Sequence, residues 1–245
     1  MEENILEIKR LTKHFGGVHA VQNLSVVFAR GAITGIIGPN GSGKTTLVNL
    51  LTGMLPMDGG VIVSDGATLR RMRAHEARFY GITRTFQNIR LFEQMTVLDN
   101  LLVVLTERRV FASLFERHGA YHLKKAEALL RQVGLWEKHN ELALHLSYGQ
   151  RKLLEIARAI GTDARVFLFD EPFAGLFPEM REIVKRQLEA LREQGAAVLL
   201  IEHNTELIRQ LSDYVVVLDS GKLLAEGKPE SVLRRRDVLE AYLGE

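Results

Sequence analysis

The hydrophobic positions fall first into short runs. Residues 5–11, 24–29 and 33–37 are apolar or alternating segments bounded by glycine and polar turns, the pattern of β-strands. The third run leads without a break into a glycine-rich stretch. From 45 to 52 the apolar residues recur at helical spacing, and 59–64 returns to a strand pattern. Between about 88 and 161 the character changes. Residues 97–106, 121–133 and 150–160 all carry helical periodicity, which predicts a helical subdomain. Beyond it, 166–169 and 197–201 are unbroken apolar runs, as expected of strands buried on both faces. Between them, 179–193 reads as a charged amphipathic helix. Residues 214–218 and 222–225 are strands on either side of the turn Asp219-Ser220-Gly221, and 236–244 reads as helical. There is no internal repeat and no low-complexity linker. The alternation of strands and helices around the buried runs predicts an α/β fold with a largely parallel sheet and helices packed on it. The first 65 residues read as β-rich. The expected organisation is one domain over 1–245, with 1–87 and 162–245 as core and about 88–161 as the helical insert.

Composition narrows the classes of partner. The 245 residues are 46% hydrophobic and 25% charged, a normal globular balance. Lys plus Arg number 32 against 30 Asp plus Glu, a net charge of +2, so there is no bulk electrostatic case for nucleic acid. The absence of cysteine excludes disulfides and thiolate metal sites. The opening Met1-Glu2-Glu3-Asn4 is acidic and is not followed by an apolar stretch of signal-peptide length, which points away from a secretory signal. None of the apolar runs approaches the roughly 18 residues that a membrane span needs. A soluble, cytoplasmic chain is expected, with any membrane part supplied by other chains.

The chemistry is concentrated in two places. Gly38-Pro39-Asn40-Gly41-Ser42-Gly43-Lys44-Thr45 fits the pattern G-x-x-x-x-G-K-[ST] at every fixed position. Glycines there permit backbone conformations closed to residues with a Cβ, so that amide groups converge on phosphate oxygens. The helix that follows adds its N-terminal dipole and unpaired amides. Lys44 brings a point charge to the β and γ phosphates, and Thr45 offers a hydroxyl to Mg²⁺. The second place is Val166-Phe167-Leu168-Phe169-Asp170-Glu171, an apolar strand ending in two carboxylates. A carboxylate at the end of a central strand lies beside the phosphate crevice. Asp170 suits the Mg²⁺ shell, and Glu171, one residue on, is placed to polarise an attacking water. Phosphoryl transfer calls for this kind of positioning and charge neutralisation rather than covalent help.

With these residues in view, the chain resembles the ATP-binding subunits of ABC transporters over its whole length. Gly38–Thr46 (the loop through Thr46) and Asp170-Glu171 are joined, in the family order, by several further motifs. Leu146-Ser147-Tyr148-Gly149-Gln150 is similar to the signature loop, Gln87 to the Q-loop glutamine, and His203 to the switch histidine. Phe15 is similar to the adenine-stacking aromatic, and Ala174-Gly175-Leu176-Phe177-Pro178 to the D-loop. The stretch from Gly81 to Phe92, the Tyr-Gly-Gln signature and the ending Ala241-Tyr242-Leu243-Gly244-Glu245 narrow the likeness to the branched-chain amino-acid importers. Within them the Arg-Thr-Phe-Gln Q-loop marks one of the two sister ATPases.

The resemblance implies a P-loop NTPase fold: a RecA-like core, an N-terminal antiparallel β subdomain and a helical subdomain. It implies an ATPase using ATP and Mg²⁺. The catalytic set would be Glu171, His203, Lys44 and Gln87, with Thr45, Gln87 and Asp170 at the metal. Phe15 and residues Gly38, Pro39, Asn40, Gly41, Ser42, Gly43, Lys44, Thr45 and Thr46 would bind the nucleotide. Ser147, Tyr148, Gly149 and Gln150 would reach a nucleotide held by a partner subunit. The sequence supports this independently: Ser147 and Gly149 would open a helix near Gln150, a second anion-favouring terminus in a chain that already cradles one triphosphate. A homodimer or a heterodimer with a sister ATPase follows. So do membrane permeases as partners, a peripheral place on the cytoplasmic face of the inner membrane, and no contact with nucleic acid or with the transported solute.

Two residues depart from the usual family pattern. Tyr148 replaces the first signature glycine, so its side chain is expected to point away from phosphate. Phe177 stands where many relatives have Asn or Asp, which affects coupling across the dimer rather than ATP binding. Ile89-Arg90-Leu91-Phe92 lies where relatives receive the permease, 107–118 reads as a solvated basic-apolar segment, and Arg234-Arg235-Arg236 as a solvated charge run. The alternatives are an exporter ATPase of lipopolysaccharide type, which shares Phe173-Ala174-Gly175, and a soluble ABC ATPase acting on ribosomes or DNA. No residue here identifies the transported solute.

Overall fold

The structure, a computed structural model, describes residues 4–86, 89–106 and 119–243. The chain forms two compact units. One comprises Met1–Arg84, Ala164–Glu171 and Leu188–Glu245, the other Thr85–Asp163 and Pro172–Gln187. The strands are β1 (Asn4–Phe15), β2 (Val18–Ala29), β3 (Ile33–Ile37), β4 (Gly59–Ser64), β5 (Ala67–Leu69), β6 (Ile82–Arg84), β7 (Val166–Asp170), β8 (Ala197–Ile201), β9 (Tyr214–Asp219) and β10 (Lys222–Gly227). The helices are α1 (Lys44–Leu51), α2 (Val97–Leu105), α3 (Gly119–Gln132), α4 (Tyr148–Ile160), α5 (Pro178–Glu193), α6 (Thr205–Leu211), α7 (Pro229–Val232) and α8 (Arg236–Leu243). No helix among the described residues is long and apolar enough to cross a membrane.

The first unit contains two sheets. An antiparallel sheet has the order β2-β1-β4-β5. A second, of order β10-β9-β3-β8-β7-β6, is parallel except for β10. Every residue of β3, β7 and β8 is buried. That is why 166–169 and 197–201 read as unbroken apolar runs: both faces of a central parallel sheet are covered. Leu47, Val48, Leu50 and Leu51 of α1 share one core with Ile36, Leu168, Leu199, Val216 and Leu218 of the strands. This packing holds α1, and with it the glycine loop, against the carboxyl edge of the sheet.

The second unit is built on α2, α3, α4 and the first part of α5. Buried Asn100 sets the entry to α2: its amide donates to the Phe92 and Thr96 carbonyls at 3.0 Å each, and its oxygen accepts from the Phe92 N–H at 3.0 Å. The expected Gln87 and the 107–118 segment lie outside the described residues.

The structure adds elements that the pattern reading did not predict. β5 and β6 are three residues long, too short for a period to be read. α6 was announced only by its cap, Asn204, whose Oδ1 accepts the Glu206 and Leu207 amides at 3.0 and 3.1 Å. β1 and β2 run further than expected, to Phe15 and from Val18. Register shifts in their ladder, with Arg10 and Asn23 at φ 52° and 49°, break the two-residue period and let polar residues stay in the strands.

Candidate functional site

The carboxyl edge of the parallel sheet brings three predicted groups together. Ile36 and Asp170 both pair with Ile201, so the ends of β3, β7 and β8 lie in one row. The glycine loop leaves β3, Asp170 and Glu171 close β7, and His203 follows β8. Gly38 has φ +151°, and a Cβ on it would lie 2.1 Å from the Leu218 carbonyl oxygen. Gly43, at φ +101°, would place a Cβ 2.4 Å from the Ala20 carbonyl oxygen. Only glycine fits at either position. Gly41 differs: its φ of +80° calls for glycine, but the space around it is open.

Lys44 is buried and points back into the loop. Its Nζ donates to the Gly38 and Pro39 carbonyls at 2.7 and 2.9 Å, with Ser42 Oγ at 3.4 Å. Burial pushes its ammonium below the usual lysine range, and the Glu171 and Asp170 charges act in the opposite sense. Thr45 is exposed at the start of α1, and Thr46 half-buried behind it.

Glu171 adopts a left-handed conformation, φ 50°, that a residue with a Cβ takes at a cost of about 1–2 kcal/mol. Its N–H donates to the Ile201 carbonyl at 2.9 Å. This turn ends the strand and directs the carboxylate to His203, whose Nε2 lies 3.0 Å from Glu171 Oε1. Strain of this kind concentrates at functional sites. Asp170 is buried, with its Oδ2 3.7 Å from Arg84 Nη2, and Arg84 Nη1 donates to Asn49 Oδ1 at 2.7 Å. Sequence reasoning assigned Arg84 no role. The one available signal was an arginine in the edge segment next to a strand that ends in a carboxylate.

Phe15 is 47% exposed at the end of β1. Beneath it a polar clamp fixes the strand. Lys13 Nζ lies 5.5 Å from the Phe15 ring centroid and donates to Asp58 Oδ1 at 2.8 Å. The other Asp58 oxygen accepts the His14 N–H at 2.8 Å. The Lys13 ammonium first, and the His14 amide second, hold the Asp58 carboxyl below the usual carboxylate range.

In the second unit, the signature residues form a helix start two residues earlier than expected. Ser147 is the N-cap of α4: its Oγ accepts the Gln150 N–H at 3.3 Å, and Gln150 Oε1 accepts the Ser147 N–H at 3.0 Å. The reciprocal pair satisfies two amides that the helix itself leaves open, which moves the start back to Tyr148. Tyr148 is exposed and lies over the D-loop. Gly175, at φ +70°, would place a Cβ 2.8 Å from Tyr148 Cε1. The side chain that replaces the signature glycine is thus accommodated by a glycine in the loop beside it. Gly149 is buried, with Met180 Sδ 2.5 Å from the position of a Cβ. Phe177 is 71% exposed.

Sequence reasoning also missed Glu155. This buried carboxylate on α4 accepts the N–H groups of Phe86 and Arg90 with Oε1, at 3.3 Å each, so it holds both flanks of the Q-loop segment. Its Oε2 is buried without a hydrogen-bond partner among the described residues. Burial pushes its pKa up, against the Phe86 and Arg90 amides and the Lys152 and Arg158 charges. A carboxyl raised in the folded state binds more protons folded than unfolded through the interval between its two pKa values. Stability from this group is therefore fully present below the ordinary carboxylate range and is lost as pH rises through the raised value. Relative to Glu155→Gln, the wild type should lose melting temperature on titration upward from that range. A pH-independent difference between the two proteins would contradict the assignment.

Residues 21–174 match the sequence family described as ABC transporter. The chain belongs to that family. Residues 222–245 of this ABC ATPase also match a C-terminal family described as branched-chain amino acid ATP-binding cassette transporter. The chain is 40% identical to the high-affinity branched-chain amino acid transport ATP-binding protein BraF of Pseudomonas aeruginosa, with 100% of each chain covered. It is 37% identical to the LivG protein of Escherichia coli strain K12, named for the same role, again over 100% of both. Among solved structures, a nucleotide-free ATP-binding cassette of an ABC transporter aligns with TM-score 0.86 at 33% identity, covering 99% of this chain and 100% of that one. A cassette in its ADP conformation aligns with TM-score 0.85 at 34% identity, with 99% and 100% covered. The fold is that of a P-loop NTPase cassette, and the ABC ATPase binds and hydrolyses ATP.

Proposed function

We propose that this ABC ATPase energises the import of branched-chain amino acids or related small solutes through separate membrane permeases. The observation that carries the solute class is likeness over the whole chain, at 37–40% identity, to subunits named for that transport. The match of residues 222–245 to the branched-chain family supports it. On this reading the chain sits at the cytoplasmic face of the inner membrane, held there by its permeases.

The geometry of the described residues supports the following roles. Lys44 exchanges its loop carbonyls for the β and γ phosphates, and the residues from Gly38 to Thr46 wrap the triphosphate. Phe15 offers its exposed face to adenine. Glu171 takes a proton from the attacking water, while His203, 3.0 Å from that carboxylate, steadies it and faces the γ-phosphate. Thr45, Asp170 and, as the resemblance implies, Gln87 would hold Mg²⁺ through an all-oxygen donor set that suits it. Bound with the nucleotide, Mg²⁺ neutralises charge on the phosphates. The capped start of α4 is a second anion-favouring terminus, so Ser147 to Gln150 serve the nucleotide of a second ATPase chain. Two ATP molecules then close the pair, and hydrolysis reopens it.

Uptake decides the solute. A strain lacking this chain should lose most of its uptake of labelled leucine. A wild-type copy should restore it, and a Glu171→Gln copy should not. Undiminished leucine uptake in the deletion strain would overturn the assignment.

A further inference from the structure

The P-loop is held at its entrance by a residue from the far end of the chain. The ladder of β3 ends where Ile37 pairs with Val217, and the next amide, that of Gly38, is buried beyond it. A buried amide that leaves a ladder needs another acceptor. Here the acceptor is the phenol oxygen of Tyr242 on α8, 2.8 Å from the Gly38 nitrogen. The carbonyl side of the same residue accepts from Lys44 Nζ at 2.7 Å. Gly38 also lies flush against the Leu218 carbonyl, which leaves no room for a Cβ. A few residues on, the Ser42 carbonyl accepts the Gly221 N–H at 3.0 Å.

We propose that Tyr242 is a positioning residue for nucleotide binding: its hydroxyl braces the Gly38 amide, so the C-terminal helix holds the P-loop in its phosphate-binding shape. The inference rests on the reading of Gly38–Thr45 as the triphosphate site. When Lys44 turns to a phosphate, it must release the Gly38 and Pro39 carbonyls. Gly38 then loses the hold on its carbonyl side, and the Tyr242 bond keeps the loop entrance in place through that exchange. Burial raises the Tyr242 pKa, so the phenol stays neutral and keeps its oxygen available as an acceptor. The segment that matches the branched-chain family, residues 222–245, contains this tyrosine. It therefore gains a specific task in the ATP site.

Tyr242→Phe keeps the ring and removes only the oxygen. MgATP affinity, read with a fluorescent ATP analogue, should weaken by roughly 5- to 30-fold, the size expected when a buried amide loses its acceptor. The KM for ATP should rise in parallel, with kcat at saturating ATP within about twofold, since the brace acts on loop shape and not on the reacting atoms. The increase in melting temperature produced by a fixed ATP concentration should shrink accordingly. Val238→Ala loosens the buried face of the same helix without touching Gly38, and serves as the reference for a general loss of stability. If Tyr242→Phe weakens ATP binding no more than Val238→Ala at equal loss of melting temperature, the brace is refuted. Affinity within twofold of wild type refutes it as well. Lys44→Met separates the two readings. Weak binding in Lys44→Met with normal binding in Tyr242→Phe overturns the brace and leaves the ATP site standing. Normal binding in Lys44→Met overturns the site itself.

Discussion

Glu171→Gln should abolish steady-state ATP hydrolysis, by roughly 10²- to 10⁴-fold, while ATP affinity stays within a few-fold of wild type. The substitution keeps the length of the side chain and its reach to His203 Nε2, 3.0 Å from the carboxylate oxygen. It removes the negative charge and the ability to accept a proton from water. The backbone stays where it is, because the Glu171 N–H is bonded to the Ile201 carbonyl at 2.9 Å. The left-handed φ of 50° is no harder for glutamine than for glutamate, so the melting temperature should move little. Two consequences can be read separately. Phosphate release in a single turnover measures the chemical step. Size-exclusion chromatography with ATP present should show the variant accumulating as a dimer, since the closed pair is not reopened by hydrolysis. Unaltered steady-state hydrolysis would refute Glu171 as the base.

Lys44→Met should cost both turnover and binding. Replacing the ammonium removes the only lysine of the loop and a positive charge at the triphosphate, and loss of such a group lowers turnover by about 10²-fold or more. Affinity for MgATP should fall with it. Stability should respond differently from activity. Lys44 is buried, and burial holds its pKa down, so the folded protein pays to keep it charged. A depressed lysine binds fewer protons folded than unfolded. The wild type should therefore gain stability relative to Lys44→Met as pH rises through the interval below the ordinary lysine range. The opposing loss is that of the bonds to the Gly38 and Pro39 carbonyls. Thermal melts across alkaline pH, without nucleotide, test the sign. Retained ATP affinity in this variant would overturn the reading of Gly38–Thr45 as the triphosphate site.

The ATP chemistry was legible because it is local. The glycines, Lys44 and Thr45 occupy one continuous stretch, and their residue types follow from backbone geometry and charge. The buried runs 166–169 in β7 and 197–201 in β8 were legible for a similar reason, as both sheet faces are covered and the residues there turn apolar. Residues that act across long intervals of sequence were not. Arg84 meets Asp170 only because β6 lies beside β7. Glu155 reads as one more polar position on an amphipathic helix until the Phe86 and Arg90 amides are seen to converge on it. The early start of α4 depended on a side-chain reciprocity between Ser147 and Gln150, which is a matter of rotamers and not of period.

The sequence by itself determined the kind of chemistry, the α/β class and the order of the motifs, since each is written in residues that are neighbours along the chain. Tertiary structure alone decided how distant groups combine. It set Glu171 in a left-handed turn facing His203, it seated Tyr148 over Gly175, and it brought Tyr242 to the Gly38 amide, 204 residues away. In each case packing brings the partners within reach, and for the Gly38 amide the need is strict: a buried amide needs an acceptor within about 3 Å, and which residue supplies it depends on how the chain folds back.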